Sequence, residues 1–469
     1  MPKDFFALMK GELLVGLLII VLLFLKIGNK QRSNETLLRL INGLLLFNLA
    51  AGFFCIRPGN LFGNSFQTDP LRILEKNMLS LGTLIISLQA YDWLRQHKHV
   101  VEFYILLLST LLGMFFMISA GNLLLFFVGL ELSTIPLAAL VNFDLDKKPS
   151  SEAAIKFILS SAFSSGLLLF GISMLYGTTG TIEFAILPQR LDGDPLQLFS
   201  MILVLTGFAF KISVVPFHLW TADVYEGAPV AVTSYLSVVS KAAILFVLTP
   251  VLYTVFKSPG DTWVPILFLL SILTIIVGNL FALRQQNMKR FLAFSSISQM
   301  GFILIGIGGQ SAEGRSAVIY FLLIYIFSNL GAFGVVALMS ARAGRERIDD
   351  YKGFYKSHPA LSWVLAISLF SLAGIPPTAG FFGKFFLLLA GAGKAHYWLI
   401  ALAALNMVIS LYYYLRIVKA MFMDESREPV EKMRTGMPAK IALTVCVGGI
   451  LVTGLASGAY QYMHSLIAR

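Results

Sequence analysis

About fourteen apolar stretches, each near the ~20 residues that a bilayer-crossing helix needs, run from one end of this chain to the other. LLVGLLIIVLLFL (13–25) and ILLLSTLLGMFFMI (105–118) are two of them. A helix that is apolar all round must be enclosed by protein or by lipid. A chain of 469 residues that is 57% hydrophobic and only 13% charged is solvated by lipid. The sequence therefore predicts an all-α, polytopic membrane protein. Its spans centre near residues 19, 46, 81, 109, 132, 164, 210, 242, 273, 299, 328, 374, 409 and 451.

The first run reads as a retained span, because its positive cluster KIGNKQR (26–32) follows it and no small-x-small cleavage site is evident. The net charge of +11 sits in short loops between spans, which argues against nucleic acid as a partner. By the loops after spans 1, 3, 5, 9, 11 and 13, about 20 Lys/Arg fall on one side of the membrane against about 9 on the other. The richer side is cytoplasmic by the positive-inside rule, which puts both termini outside. TADVYEGA (221–228) is acidic although it falls on the basic side. It is expected as a loop, either a docking or gating element or a solvated turn. The two cysteines, Cys55 and Cys446, lie in apolar segments far apart. No Cys/His spacing suggests zinc, haem or an iron–sulfur cluster, and no glycine-rich loop suggests a nucleotide.

Two spans are interrupted. Span 7 carries Pro216, and span 12 reads LAGIPPTAGFFGKFF (372–386). Matched interruptions point to inverted repeats, here spans 4–8 and 9–13. The expected division is 1–99 (accessory spans 1–3), 100–258 (first repeat), 259–424 (second repeat) and 425–469 (span 14 and the C-terminus).

Five ionisable residues fall inside predicted spans: Glu131, Lys156, Lys211, Lys241 and Lys384, with Lys156 nearest an end. Unpaired, they would cost roughly 12–17 kcal/mol on insertion scales. Whole-protein stabilities are only ~5–15 kcal/mol. Glu131 can pair with one lysine. The others need water, or a neutral form, since burial disfavours the charged amine. Lysines that take up and lose protons can relay them. Polar stripes accompany them: Ser234, Ser237 and Lys241; Lys156, Ser160 and Ser164; Ser295, Ser298 and Gln299. Such stripes either hold water between helices or let helices pack closely. Pro136 and Pro216 follow Glu131 and Lys211 by five residues and free the carbonyls of Leu132 and Ile212. These are acceptors for water or an ammonium, or else marks of a plain kink. His218, seven beyond Lys211, either extends a relay or sits at the interface. Glu75 and Lys76, adjacent in span 3, are expected near an interface, and the aromatics as lipid-facing or interfacial packing.

The run FKISVVPFHLWTADVYEGAPVAVTSYLSVVSKAA (210–243) resembles the antiporter-like membrane subunits of respiratory complex I, the NADH–quinone oxidoreductases. GLELSTIPLAAL (129–140), EAAIKFILSSAFSSG (152–166), KRFLAFSSISQMGF (289–302) and SLAGIPPTAGFFGKF (371–385) extend the resemblance over about 100–425. Two positions depart from the family wording, Ala222 and Ala231, where proline is usual. The resemblance implies fourteen helices with spans 4–8 and 9–13 as inverted repeats. It implies that Glu131 pairs with Lys211, that Lys241 is the central lysine, that Lys384 leads outward and that Lys156 lies near the entry side. It further implies proton translocation driven by quinone reduction elsewhere in the complex. NAD, FMN, iron–sulfur clusters and quinone would sit on partner subunits and no cofactor in this chain. The partners would be neighbouring antiporter-like and small membrane subunits in a bacterial inner membrane. Larger relatives carry a lateral helix after the last span; this chain, stopping at HSLIAR (464–469), is expected without one. The alternative is a subunit of a multi-subunit cation/proton antiporter, which shares fold and lysines. The P-F-H-L-W-T-x-D-V-Y-E-G-A-P wording favours complex I.

Overall fold

The computed structural model describes residues 4–28, 33–54, 56–257, 260–394, 397–426, 428–456 and 458–467. Cys55 lies outside the described residues. The principal helices follow in chain order: α1 (Lys10–Ile27), α2 (Asn34–Gly52), α3 (Pro70–Gln89), α4 (Val100–Ile118), α5 (Leu123–Val141), α6 (Lys148–Thr179), α7 in two pieces (α7a, Pro195–Lys211; α7b, Leu219–Gly227) and α8 (Val230–Val255). Then come α9 (Gly260–Leu283), α10 (Met288–Gly308), α11 (Ala312–Ala343), α12 in two pieces (α12a, Pro359–Ala373; α12b, Ala379–Ala392), α13 (Tyr397–Phe422) and α14 (Met437–Leu455). Each expected span meets one of them. Among the described residues, nine helices are long and apolar enough to cross a membrane; α7a, α12a and α12b are shorter apolar pieces. Among the described residues, one small hairpin stands outside the all-α pattern: β1 (Gly59–Leu61) pairs antiparallel with β2 (Phe66–Thr68), Leu61 opposite Phe66.

The chain divides into two compact units. The first comprises Met1–Leu84, Leu94–Ile212 and Val239–Val264. Here α4 packs on α5 with backbones nearly touching. A Cβ on Gly113 would come within 2.5 Å of Ser133 N, and one on Gly129 within 2.8 Å of Gly113 O. In lipid, where apolar contact alone drives little association, such small-residue seams hold helices together.

The second unit comprises Ile85–Trp93, Ser213–Val238 and Pro265–Arg469. Its centre is α10, buried along its length, with α11 mostly buried beside it. The line between the units falls between α7a and α7b and again inside α8.

The two breaks have local causes. After α7a, Ser213 takes φ +64° and Val215–Pro216 is cis. Val215 N–H then donates to Thr274 Oγ1 (3.1 Å), and Thr221 Oγ1 to Ser213 Oγ (2.7 Å). At the other break, Gly374 at φ +87° closes α12a, and its N–H bonds back to Phe370 and Ser371 carbonyls. Gly380 opens α12b so close to α12a that a Cβ would lie 1.7 Å from Ser371 O. Pro136, by contrast, leaves α5 continuous.

Segment 221–228 is not the expected loop: most of it is α7b. Asp223 and Glu226, one turn apart, both accept from Arg290 Nη1 (2.7 and 2.9 Å). The acidic stretch and the basic cluster RQQNMKR (284–290) therefore meet through Arg290.

Candidate functional site

Lys211 is the last residue of α7a and is 8% exposed. Its ammonium donates to Thr134 Oγ1 of α5 (2.6 Å) and Ser161 Oγ of α6 (2.8 Å). The rings of Phe157 and Phe210 lie 5.9 Å from it, close enough for a cation–π contribution. Thr134 donates its own hydroxyl hydrogen bond to Leu130 O (2.7 Å), so its oxygen is free to accept. Glu131, one helical turn before Thr134, is partly buried, and its Oε1 is enclosed with no hydrogen-bond partner. Glu131 thus acts on Lys211 through its charge, while the hydroxyls of Thr134 and Ser161 hold the ammonium.

Lys241 is fully buried in the same unit. A π-helical turn, Leu236–Ser240, precedes it. Its i→i+5 bonding shifts the register, so the simple 3.6-residue face through Ser234, Ser237 and Lys241 does not hold. Single π turns are frequent at functional sites.

Lys156 departs from expectation. It lies on the outer flank of α6, 44% exposed, paired with Glu152 at 2.8 Å on the same helix. The inward face is one residue round: Phe157, Ser161, Ser164 and Leu168 are buried. Periodicity gave the stripe but not which side of it is covered. His218 stands at the start of α7b, beyond the break, with its Nδ1 enclosed.

In the second unit, Lys384 of α12b is fully buried. It donates to Leu372 O (2.7 Å) and Ala373 O (3.3 Å), the last carbonyls of α12a. A helix C-terminus leaves its final carbonyls without intrahelical donors and carries a partial negative charge, so an ammonium belongs there. Leu372 O also accepts from Gln299 Nε2 (2.9 Å), which donates in addition to Tyr414 OH (3.1 Å), itself paired with Ser295. The stripe in α10 therefore joins at Ser295 and Gln299, while Ser298 Oγ is buried without a partner. A second cluster links Ser237, Tyr325, Asn329 and Ser296: Asn329 Nδ2 donates to Ser237 Oγ (2.7 Å) and Tyr325 OH (2.6 Å), and Tyr325 OH to Ser296 Oγ (2.8 Å).

These tyrosines correct the reading of the aromatics as lipid-facing. Tyr325, Tyr413 and Tyr414 are among the largest fully buried side chains. Three consecutive tyrosines (412–414) inside a span were the available signal, since a phenol that packs in a dry core needs a partner for its hydroxyl. Thr134, three residues after Glu131, was legible in the same way. Glu75 and Lys76 lie in the first third of α3, and both are buried within the protein. Among the described residues, no group of three or more His, Cys, Asp or Glu is placed to hold a metal ion.

Comparison with known proteins agrees with this architecture. Residues 120–410 match the family model described as NADH:quinone oxidoreductase/Mrp antiporter, TM. The NADH-quinone oxidoreductase subunit N of Phocaeicola vulgatus is 49% identical over 408 residues, covering 86% of each chain. A chain of respiratory complex I from Thermus thermophilus superposes with a TM-score of 0.82 at 28% identity, covering 96% of this chain and 97% of that one. A chain of the Mrp complex from Dietzia sp. superposes at 0.86 but with 21% identity, a likeness of fold alone; it covers 100% of this chain and 97% of that one. The wording of the motifs, the buried lysines at the two breaks and these relatives agree: the chain belongs to the antiporter-like membrane subunits of NADH–quinone oxidoreductase, among which its relatives are subunit N.

Proposed function

We infer that this chain moves protons through Glu131, Lys211, Lys241 and Lys384, as a membrane-arm subunit of NADH–quinone oxidoreductase. The carrying observation is the Lys211 ammonium, buried and held by two neutral hydroxyls beside a carboxylate whose Oε1 is unpartnered. The proposed path uses two arrangements of the pair. With Glu131 turned onto Lys211, the ion pair keeps the proton on the amine. With the pair apart, as here, Thr134 and Ser161 hold the ammonium more weakly, because neutral acceptors bind it less than a carboxylate does. The proton then passes to Lys241, and from Lys384 it leaves past the end of α12a. Moving each charge against 100 mV costs about 2.3 kcal/mol, so the pair must be opened by work from elsewhere in the complex.

The chain's partners are the other membrane-arm subunits. NAD, FMN, iron–sulfur clusters and quinone belong to partner subunits. The repeats are 100–258 and 259–424, flanked by 1–99 and 425–469, with both termini outside a bacterial inner membrane. Lys156 and His218 are the entry-side candidates, Lys156 requiring a partner surface to cover its exposed flank.

The test is proton movement per NADH oxidised in assembled complex carrying Lys211→Ala or Lys241→Ala. Loss of pumping with the complex intact is expected; undiminished pumping overturns the assignment.

A further inference from the structure

A second buried charge site lies in the first unit, outside the 120–410 segment that the family model matches. Glu12, in the first turn of α1, pairs with Lys76 of α3 at 2.6 Å, their side chains 2% and 7% exposed. The same Oε1 accepts from Ser119 Oγ (3.1 Å), just past α4. Lys76 is also flanked by the rings of Phe66 (5.3 Å) and Phe115 (5.9 Å). Glu12 Oε2 and Thr68 Oγ1 are buried with no hydrogen-bond partner. Thr68 and Lys76, the ammonium that Glu12 holds, line a cavity of about 20 Å³ whose other polar lining is Lys10, Asn48, Asn77 and Ser80. One water needs roughly 10–15 Å³ and two to four polar partners, and both conditions are met.

A buried ion pair is a weak stabiliser, and a well-packed apolar pair of the same volume does as well or better. An enclosed ionisable group in a membrane helix therefore points to function by default. The arrangement suits proton binding in particular. Oε1 stays committed to Lys76 and Ser119, while Oε2 has an open valence.

We propose that Glu12, Lys76 and a water in this cavity form a second proton-binding site of the chain, at the membrane end where α1 begins and α2 ends. Uptake transfers a proton from a hydronium in the cavity to Glu12 Oε2, leaving water and a neutral carboxylic acid. Lys76 remains an ammonium, held by Glu12 Oε1 and the two rings. Release is the reverse. The other groups facing the site are Lys10 from α1, Asn48 from α2, Asn77 and Ser80 from α3, Ser119 from the end of α4 and Thr68 from β2. The proposal rests on the chain being a proton carrier, and not on the roles given to Lys211, Lys241 and Lys384.

The experiment uses assembled complex in sealed vesicles and reads protons moved per NADH oxidised, together with the amount and thermal stability of the complex. Glu12→Gln keeps an acceptor oxygen for Lys76 and Ser119 but cannot bind the proton. Thr68→Val removes a hydroxyl from the cavity without touching the charges. Both are expected to lower the proton yield in intact complex, and Glu12→Asp to restore part of it. A merely structural pair predicts otherwise: Glu12→Gln lowers stability alone, and Thr68→Val, which deletes an unpartnered buried hydroxyl, leaves stability equal or higher with the yield unchanged. An unchanged yield in both variants overturns the proposal. If Glu12→Gln does not assemble, Thr68→Val decides. A loss in Glu12→Gln with none in Lys211→Ala refutes the central path and leaves this site standing.

Discussion

The two broken helices hold their lysines by opposite means. Lys211 ends α7a and reaches out to hydroxyls on two other helices, Thr134 and Ser161. Lys384 lies in α12b and reaches back to carbonyls of its own broken helix, Leu372 and Ala373. Hydroxyls are rotors that accept from one partner or another, and a competing carboxylate, Glu131, stands beside them. Backbone carbonyls at a helix end are fixed in direction, and the helix dipole adds to their pull. The first arrangement suits a switch whose partner changes, and the second a fixed station that a proton reaches and leaves.

The largest expected effect breaks the fixed station. Gly380 lets α12b start against α12a, and a Cβ there would sit 1.7 Å from Ser371 O. The obstacle is backbone, so no side-chain rotation relieves it. Gly380→Ala must push the two pieces apart, drawing Lys384 off Leu372 O. Forced overpacking typically costs about 1–3 kcal/mol, and here it also disturbs the Gln299 contact to the same carbonyl. The expected outcome is little assembled complex and a marked fall in its melting temperature. Normal assembly with full pumping would show that the close approach of α12a and α12b is not required.

A middle-sized effect tests the switch. Thr134→Val and Ser161→Ala each remove one acceptor from Lys211, a loss of about 0.5–1.5 kcal/mol per hydrogen bond. With fewer hydroxyls to compete, Glu131 should hold Lys211 for longer. Pumping should slow while assembly stays normal, and Thr134→Ser should restore it. The double variant tests coupling: because both hydroxyls serve one ammonium, their effects should not add. Simple additivity would show that the hydroxyls act separately from the pair.

What the sequence made legible follows the same contrast. The spans and both breaks could be read, since apolar length, proline and glycine are properties of a stretch of chain. That Lys211, Lys241 and Lys384 point inward also followed, because the cost of exposing them to lipid is a property of each residue. Which atoms receive them did not. Lys384's acceptors are carbonyls, which no side-chain pattern marks. Lys76 finds Glu12 64 positions away. Lys156 and Ser161 differ by five positions on one helix, and only the packing of α6 on its neighbours decides which is covered. The acidic stretch 221–228 looked like a loop because α7b, at nine residues, is too short for periodicity to show.

The smallest effect sharpens the comparison at the far ends of the two leading half-helices. Asp194 caps α7a by accepting from Leu196 N–H (3.0 Å). His358 precedes α12a, and its Nε2 accepts from Met433 N–H (2.7 Å) while its Nδ1 meets Ser357 Oγ (2.8 Å). Accepting at Nε2 requires that nitrogen to be unprotonated. Burial, and then Lys432, push the His358 pKa below the ordinary histidine value. The folded chain therefore binds fewer protons here than the unfolded one. Stability from this contact is complete above the ordinary histidine pKa near 6.5 and is lost as pH falls through the lowered folded value. Acidification should thus loosen the start of the helix whose last carbonyls hold Lys384, by less than about 1.5 kcal/mol for a single hydrogen bond. Melting temperatures of the complex measured from neutral to mildly acid pH should show a shallow decline that His358→Gln flattens. An identical decline in the variant would place the pH sensitivity elsewhere, and the two half-helices would then differ only in how they hold their lysines.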